Sequence, residues 1–240
     1  MIKFQKPNLP DCGTVLICDK KVPLFYEFEN AVETLPIETL PPSMMYHADL
    51  QICHLGKGVF LSAPETYNYY SKELGKFGAK VICGEKSVLG TYGKDCAYNI
   101  LVIGNYAFHN TDYTPLAAKK YFEENKIKLI HVNQGYTKCA SAPVGENAII
   151  TPDPSIKKAA EEIGIDCLGI EWNGVTLQGF SYGFFGGAGG RISKNEFYVY
   201  GSIKNHPSKD KITEFLAKHN MNLVEGGSEM LCDFGSLIIL

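Results

Sequence analysis

No stretch of the 240-residue chain approaches the roughly 20 consecutive apolar residues that cross a bilayer, which argues against a membrane-spanning helix. Charge of one sign is equally scarce. The 23 basic and 26 acidic side chains nearly cancel, leaving a net charge of −3. There is no basic stripe for a nucleic acid and no acidic tail. No cysteine pair has the C-x-x-C spacing and no His/Cys group has finger spacing, so neither a metal nor a cofactor is expected. The opening "MIKFQKPNLPDCG" lacks the apolar core of a secretory leader. The chain's eight cysteines mostly sit inside apolar runs such as "VLICD" and "KVICG", and reduced thiols in a cytoplasmic protein are expected.

What the chain does hold is a recurring pattern. Four helix signals open near a proline: "PETYNYYSKELGKFG" at Pro64, "TPLAAKKYFEENKI" with Thr114 as cap and Pro115 first, "DPSIKKAAEEIG" with Asp153 and Pro154 in those roles, and "HPSKDKITEFLAKHN" near Pro207. Proline suits a helix start because the N–H it lacks has no partner there. Apolar spacing marks the buried faces: Tyr67, Tyr70, Leu74 and Phe77 in the first, Ile156, Ala159, Ala160 and Ile163 in the third, and Ile212, Phe215 and Leu216 in the fourth. Two short strands precede each helix, most with a Gly, Asn or Lys turn between them, and one strand follows it.

The spacing therefore predicts an α/β chain of strand–strand–helix–strand units over 46–90, 97–133, 136–173 and 182–227. A fifth unit is split between 10–42, with a weak helix around Phe28–Leu35, and the apolar end at 231–240. Placing "LCDFGSLIIL" beside the N-terminal unit would close a ring within one domain over 1–240 and cover an otherwise exposed edge. An open sheet with a free last strand is the alternative.

Five such units in a ring, with a glycine-rich approach to a cysteine near the C-terminus, resemble the pentein fold. That superfamily holds the guanidino-group-modifying enzymes: arginine and agmatine deiminases, amidinotransferases and dimethylarginine dimethylaminohydrolases. More narrowly, "HADLQICHLG", "NQGYTKCASAPVGENAIITPD", "YGFFGGAGGRI" and "CDFGSLIIL" resemble a pentein family with no assigned activity. The resemblance implies a five-bladed ββαβ propeller acting on a small guanidino or amidino compound. It implies a cysteine nucleophile, a histidine acid and base, and carboxylates that hold the planar cation.

On that pattern Cys232, after Gly226-Gly227, is the candidate nucleophile, or else a small hydrophobe on a core strand. His47 and Asp49, in "HAD", match the His-x-Asp pattern and would share one face of a strand. His47 is otherwise a strand-end histidine bonded to backbone. Gln134, Tyr136 and Lys138 open a further strand, with Lys138 a candidate to contact substrate or activate a thiol, or a solvated loop lysine. Cys139 beside it is a rival nucleophile. Arg191 could meet an anionic group or lie exposed on its strand. The glycines of "GFFGGAGGR" fit neither a P-loop nor G-x-G-x-x-G, and read as places where backbones crowd. The function these residues imply is a guanidino- or amidino-group-modifying hydrolase. The alternative is a non-catalytic pentein acting as a binding or translation-factor-like protein.

Overall fold

The computed structural model describes residue 4 and residues 6–240. The reading of the first residues as lacking a leader core falls in part outside these. Along the chain, β1 (Leu16–Cys18) and β2 (Ala31–Glu33) flank a 3-10 turn at Pro23–Tyr26. No helix forms over 28–35. The run contains β2 instead, in keeping with branched Val32 and Thr34, which favour an extended chain. There follow α1 (Ala48–Gln51), β3 (Ile52–Gly56), β4 (Val59–Ser62), α2 (Tyr67–Gly75) and β5 (Lys80–Cys83). Next come β6 (Leu101–Ile103), β7 (Tyr106–His109), α3 (Leu116–Glu124) and β8 (Lys128–His131). Then α4 (Thr137–Ala140), β9 (Ala142–Gly145), β10 (Ala148–Thr151), α5 (Pro154–Glu162) and β11 (Asp166–Gly169). The last third holds β12 (Val175–Thr176), β13 (Gly189–Arg191), β14 (Glu196–Val199), α6 (Lys209–Lys218), β15 (Asn222–Glu225), β16 (Leu231–Cys232) and β17 (Ile238–Ile239).

These strands form a mixed α/β structure of small separate sheets, none of which closes on itself. Four sheets share one plan: β3-β4-β5, β6-β7-β8, β9-β10-β11 and β13-β14-β15. In each, a tight hairpin makes the first two strands antiparallel, and a helical crossover makes the last two parallel. A fifth sheet, β17-β1-β2, keeps that plan with its first strand supplied from the far end of the chain, Leu16 facing Ile239. Leu237 to Leu240 are all buried, and the Leu240 carbonyl accepts from the amides of Thr14 and Val15. Burying each such side chain contributes about 1.5–3 kcal/mol. The expected last strand is thus broken in two: β17 joins β1, while β16, carrying Cys232, pairs with β12 in a two-stranded sheet.

The helices bury the expected faces. Tyr70 and Leu74 of α2, Ile156 and Ala160 of α5, and Ile212, Phe215 and Leu216 of α6 are all in the core. Asp153 caps α5 by accepting from the amides of Ser155 and Ile156. The start of α3 falls one residue later than its sequence suggests, with Pro115 in the cap position rather than the first turn.

Candidate functional site

The local reading of "HAD" and "YTKC" as strand openings does not hold. Both are single helical turns, α1 and α4, and each turns into extended backbone immediately before the first strand of its sheet. A turn of helix brings residues two apart near one another only when tertiary packing aims them at a common point. Here the packing does so: nitrogen of His47, a carboxylate oxygen of Asp49 and the sulfur of Cys139 all lie within 4.8 Å of one another, and all three residues are buried.

Four separate segments hold this cluster together. The Cys139 thiol donates to Asp49 Oδ2 at 2.8 Å and accepts from Asn99 Nδ2 at 3.1 Å. Asn99 Oδ1 in turn accepts from the backbone amides of Lys138 and Cys139, at 2.8 and 2.9 Å, fixing the turn that carries the thiol. Asp49 Oδ2 also accepts from the Ser236 amide at 2.8 Å, which ties α1 to the approach to β17. Asp233 Oδ1 lies 3.8 Å from His47 Nδ1, and its carboxylate accepts from the amides of Phe184 and Gly235. His47 Nε2 and Asp49 Oδ1 are buried without a hydrogen-bond partner, which leaves two polar atoms at the cluster to serve a bound molecule.

Burial pushes the Cys139 thiol well above the usual thiol range, and the Asp49 and Asp233 charges push it the same way. Burial raises Asp233 too, against the pull of nearby His47. Lys138 is driven down by burial, with Asp49 and Cys139 opposing. The resting site therefore holds a protonated thiol.

His47, Cys139 and Asp233 form the floor of a cavity of about 300 Å³, near the small end of ligand pockets. Tyr136, Phe184, Tyr182 and Phe180 supply aromatic walls, with Met44 and Leu177 beside them. Tyr136 is steadied by its hydroxyl, which donates to Asp95 Oδ2 at 2.5 Å. Glycines make the close approaches possible. A Cβ on Gly187 would collide with the Asp233 carboxylate, and one on Gly186 with the carbonyls of Ser141 and Lys138. The "GG" of "GFFGGAGGR" thus lets the 3-10 turn at Gly186–Ala188 pack against both the thiol turn and Asp233.

The sequence candidates divide accordingly. His47 and Asp49 come together with Cys139, and Tyr136 lines the same cavity. Cys232 is partly exposed on β16, its amide bonded to the Tyr200 carbonyl, and does not line the cavity, although its neighbour Asp233 does. Lys138 is buried on the other side of its turn, lining two voids of about 10 Å³ each with Asn8. Gln134 holds local structure: its Nε2 donates to Asp153 and its Oε1 accepts from the Tyr136 amide. Arg191 donates to the carbonyls of Pro10, Val144, Ser193 and Lys194. Asn99 and Asp233 are absent from the sequence reading. The signal that finds them is positional, since each sits in the segment just before the first strand of a sheet, as do Asp49 and Cys139.

Solved structures with this arrangement of sheets are informative at the level of fold. The chain is similar to SxtG, an amidinotransferase of saxitoxin biosynthesis from Microseira wollei, at 11% identity and a TM-score of 0.60 over 93% of this chain and 91% of that one. It is similar to DDAH from Pseudomonas aeruginosa, solved with citrulline, at 10% identity and a TM-score of 0.58 over 90% and 93%. It is also similar to the agmatine deiminase of C. jejuni, at 11% identity and a TM-score of 0.56 over 94% and 92%. These are guanidino-modifying penteins, and the chain shares their fold class. A family model described as "Family of unknown function (DUF6873)" matches residues 24–238, and the chain belongs to that family. No curated protein matches it by sequence.

Proposed function

We propose that the chain is a guanidino- or amidino-group-modifying hydrolase whose nucleophile is Cys139. The observation that carries this reading is the convergence of thiol, imidazole and the Asp233 carboxylate at one cavity floor, with the Asp49 carboxylate bonded to the thiol behind it, on a fold shared with guanidino-modifying enzymes. We further propose that 1–240 is one domain, its five three-stranded sheets standing as blades around that floor and β17 completing the ring.

A planar cation entering the cavity meets Asp233 beside the thiol. Its positive charge offsets the two carboxylates that hold the Cys139 proton in place, so binding itself favours the thiolate. The proton passes along the existing hydrogen bond to Asp49 Oδ2, and sulfur adds to the central carbon. The C–N bond then breaks, and the departing amine takes a proton from His47. Water, giving a proton back to His47, adds to the thioether-bound amidino carbon. The C–S bond breaks as the adduct's hydroxyl gives its proton to the freed ammonia, which releases a ureido product and an ammonium ion, and Asp49 returns the thiol proton. The sum is guanidinium plus water giving a ureido compound plus an ammonium ion.

Chloroacetamidine, a reactive amidine, tests this by intact-mass and peptide mapping, with release of ammonia from arginine, agmatine and methylated arginines measured alongside. The reading expects an adduct at Cys139 that Cys139→Ala removes and Cys232→Ala keeps. An adduct only at Cys232 would move the nucleophile there. No adduct and no product would leave a non-catalytic pentein.

A further inference from the structure

The floor of the cavity suits a cation, and its walls say what the rest of the ligand is. Among the described residues lining the cavity above the floor, none is charged. The rings form one connected surface: Tyr136 to Phe184 at 5.7 Å, Tyr182 to Phe184 at 6.0 Å, and Trp172 against both Tyr182 at 5.3 Å and Phe184 at 5.9 Å. Phe180 and Tyr182 stand at the rim 47% and 44% exposed, a large apolar outlay for side chains left in water.

Several cations outside this lining are engaged elsewhere. Lys138 is enclosed behind its turn, Arg191 is spent on four backbone carbonyls, and Lys86 donates to the carbonyls of Asp112 and Tyr113. Lys21 lies over the Tyr46 ring at 5.4 Å. A free amino acid such as arginine would carry its carboxylate up against walls that offer no basic side chain, above a floor that already holds Asp233, with Asp49 behind the thiol. Desolvating an unpaired carboxylate next to like charge is costly.

We propose that the site takes a guanidine or amidine cation bearing an apolar, uncharged tail of alkyl or arylalkyl type, and discriminates against tails that carry a carboxylate. This rests on the guanidino reading above and specifies its substrate. The aromatic walls cover the tail by stacking and apolar contact, while the charged end pairs with Asp233. Specificity then comes as much from the missing cation at the rim as from the contacts made.

Calorimetric titration of the whole chain with 3-phenylpropylguanidine, arginine, and arginine blocked as its N-acetyl methylamide tests this. The arylalkyl compound is expected to bind at least about tenfold more tightly than arginine. Phe180→Ala, at a rim position 47% exposed, is expected to shrink that ratio by several-fold. Arginine binding as well as or better than the aryl compound would overturn the inference. So would blocked arginine matching the aryl compound, because that would point to a peptide-borne guanidine and not an apolar tail. In either case a chloroacetamidine adduct at Cys139 would leave the guanidino reading standing. Failure of all three compounds to bind, with no adduct, would overturn both.

Discussion

The Cys139 thiol hydrogen-bonds a carboxylate, Asp49, that lies 90 positions away in the chain, and a second carboxylate, Asp233, borders the same cavity. Anions around a thiol keep its proton on, so this cysteine is built to stay neutral until a cation arrives.

Its labelling should report that directly. Peptide-resolved iodoacetamide modification of Cys139 is expected to be slow at neutral pH and to rise only above about pH 9, where ordinary thiols have already ionised. Asp49→Asn removes one negative neighbour and should raise the rate at fixed pH by about tenfold, the equivalent of one pKa unit. A slower rate in Asp49→Asn would show that the carboxylate assists ionisation at rest and would refute this account.

Gly235 is a further backbone constraint beside the site. Its φ of +80° lies where glycine is favoured, and an added Cβ would come within 2.8 Å of His47 Cα. Gly235→Ala should destabilise the fold by about 1–3 kcal/mol, read as a lowered urea midpoint. The same variant should displace the His47 ring, visible as a shifted imidazole resonance in NMR.

Asp153 joins a helix cap to the cavity wall. One oxygen caps α5, and the other accepts from Gln134, which in turn holds the Tyr136 amide. Asp153→Ala is expected to cost about 1–2 kcal/mol in thermal or urea unfolding. It should also weaken binding of the arylalkyl guanidine more than Asp153→Asn does, since asparagine keeps the cap.

The spread of what the sequence disclosed follows from the range of the forces involved. Caps, prolines, hairpin glycines and apolar periodicity act over a few residues, so "DPSIKKAAEEIG" announces α5 and its Asp153 cap without help from the fold. The apolar "LIIL" likewise announces a buried end, now found beside β1. The site obeys longer-range rules. Period-two spacing suggested that His47 and Asp49 share a strand face, but Ala48–Gln51 is helical because its place is set by packing against the Ser236 and Cys139 segments. The sequence offers Cys139 as a rival nucleophile beside Lys138, and nothing local singles out Asp233, the residue after Cys232. Which of two adjacent side chains enters a cavity depends on the pairing of β16 with β12, and no local pattern encodes that.

His54 supplies an acid-sensitive element outside the cavity. It is fully enclosed, stacked on Phe60 at 4.4 Å, and neither ring nitrogen has a partner. Burial lowers its pKa from 6.5 to about 3. The folded chain keeps it neutral while the unfolded chain takes up a proton, so its contribution to stability is complete above about pH 6.5 and drains away as the pH falls toward about 3. His54→Leu should flatten the fall in urea midpoint between neutral and acid conditions. His109, lowered to about 4 mainly by burial, will preserve part of it. An unchanged acid profile in His54→Leu would show that other groups govern acid unfolding.

The thiol, its carboxylate, the amide that grips it and the second carboxylate come from Cys139, Asp49, Asn99 and Asp233, each in a different segment. No hairpin or helix pair contains even two members of the Asp49–Cys139 bond. Partly assembled chains therefore carry only an ordinary cysteine, and the special environment exists only once distant segments have docked, a late event for contacts of such long sequence separation. In effect the thiol is masked by the completion of folding, so the loss of Cys139 labelling can serve as a clock for the last step of assembly.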